Sequence, residues 1–252
     1  MRELVVPELL FKYKPLITKE DVVRIYDVFH NSRLYFPKIS QLNDPLEATG
    51  VSMHLAYAGS SFSLLEDRDY IPVQSEKELY RILSFSSDCF SPQMWAYYCA
   101  NYNGVCLGFS SSNSLSSVQP VNYSDRQEEI SEIDPKLSTV LSSALLKKQS
   151  GWIAEKEWRF VKKTEACFFA FNPEELVCVI LGHEICTRNN QELYNFIHSI
   201  IPQNIPIFRT LPGKQSGQIN LIENEYEIQH DGLRPNFITS VAQLSHHLQI
   251  TK

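Results

Sequence analysis

The chain has 252 residues, of which 43% are hydrophobic, 21% charged and 12% aromatic. That composition excludes a disordered, collagen-like or supercharged protein, and the length fits one large or two small domains with a sizeable core. The 23 Lys+Arg against 29 Asp+Glu leave a formal net charge of -6, which argues against coating a long polyanion and leaves room for a local nucleic-acid contact.

The longest apolar runs, such as Val177-Cys178-Val179-Ile180-Leu181, fall far short of the roughly 20 residues that span a bilayer. The N-terminal residues carry an acid at once, Glu3, and show no signal-type apolar run, so a cytoplasmic protein without a membrane partner is expected. None of Cys89, Cys99, Cys106, Cys167, Cys178 and Cys186 forms a Cys-x-x-Cys pair. Since Cys106, Cys167 and Cys178 lie in apolar segments, buried free thiols are expected rather than a zinc cage or a disulfide framework.

In chain order, Leu9-Leu10-Phe11-Lys12-Tyr13 predicts a strand. Thr18 is a helix N-cap with Asp21 three residues on, and Val22, Val23, Ile25, Tyr26 and Phe29 give that helix an apolar face to about His30. Arg33-Leu34-Tyr35-Phe36 reads as a second strand, and Asn43-Asp44-Pro45-Leu46-Glu47 as a capped helix start. Residues 57–75 are polar and read as a surface excursion. Ile82-Leu83-Ser84-Phe85-Ser86 is a strand, Ser91-Pro92 opens a short aromatic helix, and Val105-Cys106-Leu107-Gly108-Phe109 is a strand after Asn103-Gly104. Residues 110–117 form a serine-rich loop. Residues 135–149 have helical spacing; 152–161, 167–171 and 176–181 read as consecutive strands; 191–200 is a helix. Residues 206–211 and 225–228 are weaker strands, and 241–248 is a closing helix. Without an internal repeat or a linker, residues 1–252 are expected to form a single mixed α and β domain.

The segment Trp152-Ile153-Ala154-Glu155-Lys156-Glu157-Trp158-Arg159-Phe160 is the most informative. Read as a strand, it gathers Glu155, Glu157 and Arg159 on one face and Trp152, Ala154, Trp158 and Phe160 on the other. Two carboxylates at that spacing repel unless a cation, a polar substrate or solvent lies over them. The plain reading is a solvated face with Glu157 paired to Arg159; the aromatic opposite face favours a charged lining of a cleft. Ser84 and Ser86 share a strand face and can hydrogen-bond a carboxylate or a ribose, although a solvent-facing serine pair looks the same in sequence. Lys12-Tyr13-Lys14 is a basic and aromatic group that also fits a protected strand edge. Trp95, Tyr97, Tyr98 and Tyr102 offer either a stacking platform or ordinary core. The histidines show no metal-ligand spacing, and no P-loop, dinucleotide-binding or serine-hydrolase motif occurs.

Phe11-Lys12-Tyr13, Leu34-Tyr35-Phe36 with Asn43-Asp44-Pro45-Leu46-Glu47, Leu83-Ser84-Phe85-Ser86, Met94-Trp95-Ala96-Tyr97-Tyr98, Gly104-Val105-Cys106-Leu107-Gly108-Phe109 and the Trp152 to Arg159 segment together resemble a bacterial domain family of unknown function, family 2971. That family brings no activity. A looser resemblance does: a basic residue on an early strand, Ser-x-Ser on a middle one and Glu-x-Glu on a later one is similar to the Arg, Ser-Thr-Ser, Glu-x-Glu plan of the ADP-ribosyltransferases. It implies an α+β fold with mixed, mostly antiparallel sheets and peripheral helices, and NAD as co-substrate with no metal. By that resemblance Glu157 is the catalytic glutamate and Glu155 orients or deprotonates the acceptor. Lys12, Tyr13, Ser84, Ser86 and Tyr98 hold the dinucleotide, with Arg33 as the substitute for the basic role. Lys12 stands where the family has Arg, and Phe85 where it has Thr.

The implied role is a bacterial toxin or phage-defence effector that modifies a protein or single-stranded nucleic acid, with an antitoxin as a possible partner. The alternatives are a non-catalytic interaction module whose ionic strand binds a basic partner, and a magnesium-dependent nuclease or nucleotide hydrolase using Glu47, Glu155 and Glu157.

Overall fold

A computed structural model describes residues 5–42, 78–125, 144–187, 190–223 and 237–250. The expected turn at 43–47, with Glu47, the excursion at 57–75, the start of the helix at 135–149 and the strand at 225–228 lie outside the described residues.

Local chemistry sets the first elements. After β1 (Leu9–Pro15), Thr18 and Asp21 cap α1 (Lys19–Asn31) reciprocally, each side chain bonding the other's backbone, and Ser32 ends it in the left-handed region. β2 (Arg33–Tyr35) follows, and then β3 (Tyr80–Ser86). Ser91 caps α2 (Pro92–Tyr98), with Pro92 at its first position. The remaining strands are β4 (Gly104–Ser110), β5 (Gln119–Pro120), β6 (Asn122–Tyr123), β7 (Lys147–Lys148), β8 (Glu157–Lys163), β9 (Phe168–Ala170), β10 (Leu176–Leu181), β11 (Ile207–Pro212) and β12 (Ile219–Glu223). Two further helices are α3 (Gln191–Ile200) and α4 (Val241–His247). The fold is α+β.

Eight strands form one sheet in the order β12-β11-β10-β4-β1-β3-β8-β5, antiparallel throughout except for the parallel β10–β11 pair. The pairing is uneven at its centre. β1 is zipped to β4 from Leu9↔Ser110 to Pro15↔Gly104, and β3 to β8 from Tyr80↔Lys163 to Ser86↔Glu157, but β1 and β3 share the single register pair Phe11↔Ser86. Beyond it the two halves part.

Alternation along the strands builds the core on both faces. Leu10, Leu83, Phe85, Leu107, Phe109, Val179 and Leu181 pack on one face against Ile25 and Val28 of α1 and Ile197 of α3. Leu9, Phe11, Cys106, Cys178, Ile180 and Phe208 pack on the other against Met94 and Trp95 of α2 and Leu244 of α4. On that second face the half of the sheet carrying β3 and β8 has, among the described residues, a small cluster of Ile39, Tyr80, Ile82 and Leu145. Among the described residues no helix is long and apolar enough to cross a membrane.

Several expectations change. The strand expected at 152–161 begins only at Glu157; Ser150–Glu155 is a 3-10 turn that ends on Lys156 in the left-handed conformation, at φ 46°. Lys147 and Lys148, expected at a helix end, form β7 against β6. β12 escapes detection because Leu221 and Ile222 are both buried, which breaks the alternation. The serine-rich loop carries a 3-10 turn, Asn113–Leu115, anchored by buried Leu115. Cys89, Cys99, Cys106 and Cys178 are buried free thiols, whereas Cys167 is exposed, just before β9.

α2 is tied to the sheet by an unusual turn in which Ala100, Asn101 and Tyr102 are all left-handed. Tyr102 stacks on Trp95, and its backbone lies against Gly182, whose missing side chain makes that approach possible. Gly182→Ala drives a Cβ into the Tyr102 carbonyl, so a loss of about 1–3 kcal/mol is expected. Urea denaturation of the variant measures it.

Candidate functional site

The parting of β1 from β3 opens a cavity of about 460 Å³. Past the Phe11↔Ser86 pair the Ser84 carbonyl accepts a hydrogen bond from the Lys12 ammonium at 2.7 Å. A side chain thus supplies a donor to a strand edge that β1 has left, as a carbonyl withdrawn from bulk water requires. Lys12, Ser84, Ser86, Tyr98, Glu155 and Glu157 all line this cavity.

Glu157 leads β8 opposite Ser86, so its side chain shares a face with Arg159 and with Ser84 and Ser86 across the strand pair. Arg159 grips its carboxylate with a fork, Nε to Oε1 at 2.8 Å and Nη2 to Oε2 at 3.0 Å. Lys148 Nζ adds a third donor to Oε2 at 3.2 Å, and the Ser84 hydroxyl a fourth.

Glu155 reaches the same place from the 3-10 turn. Its Oε2 accepts from Lys148 Nζ at 2.6 Å and its Oε1 from the Tyr98 hydroxyl. The Ser86 hydroxyl donates to the Glu155 carbonyl at 2.7 Å and so fixes the turn. The two carboxylates are therefore brought together by Lys148 rather than by a shared strand face. They are 6% and 5% exposed, so the solvated-face reading fails although its Glu157–Arg159 pair is real.

Their environments pull in opposite directions. For Glu155, burial raises the carboxyl and the charge of Glu157 adds to it, against Lys148 and Tyr98, so it lies above the ordinary carboxylate range. For Glu157, burial also raises, but Arg159, Lys148 and Ser84 outweigh it and hold the group at about 2. Separating two carboxyls in this way yields one permanent anion and one group able to carry a proton.

The remaining expected residues divide. Tyr13 contributes to the cavity wall, yet its hydroxyl donates to the Asp88 carbonyl at 2.8 Å and its ring packs edge-on against Trp95, so it is core. Arg33 lies elsewhere: β2 pairs with β9 in a separate two-stranded sheet, where the guanidinium pairs with Asp27 at 2.7 Å and stacks 4.0 Å from the Phe168 ring centre. Trp95 and Tyr102 stack inside the molecule, whereas Tyr97 points out and Tyr98 turns its hydroxyl to the site.

Sequence reasoning missed Lys148 and Arg24 as lining residues, assigned Trp152 to the core face, named Lys14 only within the Lys12-Tyr13-Lys14 group, and missed Tyr123, whose hydroxyl accepts from the Glu157 backbone N–H at 2.7 Å. Two carboxylates need a cation nearby, and Lys147-Lys148 is a short step upstream of them; that charge balance was the available signal. Burial, reinforced by Arg24, lowers the Lys14 ammonium to about 8, and burial together with Lys14 lowers Lys12. Among the described residues no group of three or more His, Cys, Asp or Glu is placed to hold a metal ion. Lys148 Nζ lies between the two carboxylates, 2.6 Å from Glu155 Oε2 and 3.2 Å from Glu157 Oε2.

The fold and site define an α+β protein with a buried four-charge cluster at the split of its main sheet. Residues 94–160, from α2 into β8, match the model of a protein family of unknown function (DUF2971). The match takes in Tyr98, Lys148, Glu155, Glu157 and Arg159 but not Lys12 or Ser84. No curated protein and no solved structure matches the chain.

Glu157→Gln leaves two buried cations facing a neutral amide, so a destabilisation of about 3–5 kcal/mol is expected near neutral pH. The Glu157 carboxyl sits at about 2 against an ordinary 4.5. Its contribution is therefore complete above the ordinary value and lost as pH falls towards the lower one. The gap between wild type and variant should close over that window by roughly 1 kcal/mol per pH unit, as urea titrations at successive pH values would show.

Proposed function

We propose that the protein is an ADP-ribosyltransferase-like enzyme that takes NAD into this cavity and transfers ADP-ribose to a macromolecule. The reading includes the bacterial effector role, with a possible antitoxin, that the sequence resemblance implies. The observation that carries it is convergence: Lys12 of β1, Ser84 and Ser86 of β3, and the Glu155/Glu157 pair come from distant parts of the chain and line one cavity.

The residues suit the substrate. Lys12, Lys14 and Arg24 give the cavity a cationic end for a diphosphate. Its volume of about 460 Å³ is ordinary for a small-molecule site. Breaking the bond between ribose C1′ and the nicotinamide nitrogen sends the electron pair to nicotinamide and leaves an oxocarbenium-like ribose. Glu157, kept ionised by Arg159 and Lys148, supplies fixed negative charge beside that centre. The incoming nucleophile forms the new bond to C1′ and gives up its proton to Glu155, whose raised carboxyl matches a proton carrier.

Nicotinamide release from NAD is the direct assay. Glu157→Gln should slow it about 100-fold or more while the folded spectrum is retained; absence of release by wild type with any acceptor would refute the reading. The KM for NAD should rise as pH passes about 8 and Lys14 loses its charge. Lys14→Met should start with a higher KM and show a smaller rise, Lys12 being the ammonium left to titrate at that end, as steady-state kinetics over pH would show.

A further inference from the structure

A second cavity, of about 420 Å³, adjoins the first. It is a slot between α2 and the Ser150–Glu155 turn, walled by Met94, Tyr97, Tyr98, Trp152, Ala154 and Glu155. Met94, Tyr97, Tyr98, Trp152 and Glu155 border both cavities, whereas Lys12, Lys14 and Arg24 border only the first. The slot therefore joins the first cavity at its carboxylate end, away from the cationic end. We propose that it is the acceptor subsite, and that it takes a nucleobase of a single-stranded nucleic acid; this rests on the transferase reading above.

Shape and charge both select a flat, neutral ring. Tyr97 is 72% exposed and Trp152 half-buried, so both keep ring surface towards the slot that the core does not use. Aromatic walls of this kind hold bases of any identity by stacking. A guanidinium would also stack, but the Glu155 carboxylate that borders the slot already accepts from the Tyr98 hydroxyl and, at 2.6 Å, from Lys148, a residue of the adjoining first cavity whose ammonium lies 5.2 Å from the Trp152 ring centre. A second cation there meets like-charge repulsion from Lys148 with no free carboxylate to offset it, and a neutral base does not. An exposed base is needed, because the atoms of a paired base are not accessible inside a duplex.

The step balances. A base nitrogen carrying a proton attacks C1′, the C1′–nicotinamide bond breaks with its electron pair on nicotinamide, and the base proton passes to Glu155 and from there to solvent. Glu155 borders both cavities, and so faces donor and acceptor at once.

Two readouts test this with the full chain. The first is anisotropy of a fluorescein-labelled single-stranded oligonucleotide of about 12 residues, without NAD, for wild type, Tyr97→Ala and Trp152→Ala. Each variant should bind about 5- to 100-fold more weakly, and a duplex should not compete. The second is the partition of ADP-ribose from labelled NAD among the oligonucleotide, agmatine as a guanidine acceptor, and water. Wild type should label the oligonucleotide, and both variants should shift the partition at least about tenfold towards water.

Labelling of agmatine or of protein in preference to the oligonucleotide overturns the inference while leaving the transferase reading intact. Variants that bind and partition like wild type overturn it as well. Tyr97- and Trp152-dependent binding without nicotinamide release supports the base slot and refutes the transferase reading.

Discussion

The site depends on a sheet that is zipped on either side of its centre and almost unpaired at it. β1 and β4 match residue for residue, as do β3 and β8, while β1 and β3 are joined at Phe11 and Ser86 alone. A continuous sheet would have spent the inner edges of β1 and β3 on each other and left no space between them. Where the ladder lapses, polar backbone must find other partners, and the Lys12 ammonium supplies one for Ser84. The same lapse lets Lys12, Ser84, Ser86 and Glu157 face a common volume although they belong to three strands.

Lys148 is the second constraint. It arrives on β7, a two-residue strand held in register by β6, and its ammonium is bonded to both Glu155 and Glu157. Two buried carboxylates without it would repel each other; two cations with only one carboxylate would be equally unfavourable. The four charges of Lys148, Glu155, Glu157 and Arg159 therefore act as a unit, and what distinguishes the two glutamates is the number of donors each receives. Glu157 has Arg159, Lys148 and Ser84; Glu155 has Lys148 and Tyr98. That difference, under similar burial, holds the Glu157 carboxyl below the ordinary carboxylate range while Glu155 lies above it.

Local features were legible in the sequence where a local interaction decides them. The Thr18–Asp21 capping box, the Ser91-Pro92 helix start and the alternation of β1, β3, β4 and β10 needed only neighbours a few residues away. The Ser84, Ser86, Glu155 and Glu157 set was legible as residue types in order. What failed was geometry set from a distance. Glu155 looked like a strand residue because its spacing from Glu157 is that of a strand. The turn that carries it is fixed instead by Ser86, by a Ser87 to Lys156 backbone bond and by the left-handed Lys156. Lys148 looked like the end of a helix because its β6 partner lies 25 positions earlier at Tyr123. Arg33 carried the right chemistry in the wrong sheet, since nothing in its own segment shows that β2 pairs with β9.

The charge distribution completes the argument about what can enter. The chain as a whole has a formal charge of -6, so its general field repels polyanions. The first cavity nevertheless brings Lys12, Lys14, Arg24, Lys148 and Arg159 together against Asp21, Glu155 and Glu157. Asp21 is committed to capping α1, and both glutamates are bonded to cations within the cavity, so the surplus positive charge lies at the Lys12–Lys14–Arg24 end. An anion is then favoured at one end of a cleft whose opposite end is aromatic and neutral in balance. Low-dielectric walls focus such a local field, so on the proposed reading an anionic group is selected inside the cleft rather than along the surface.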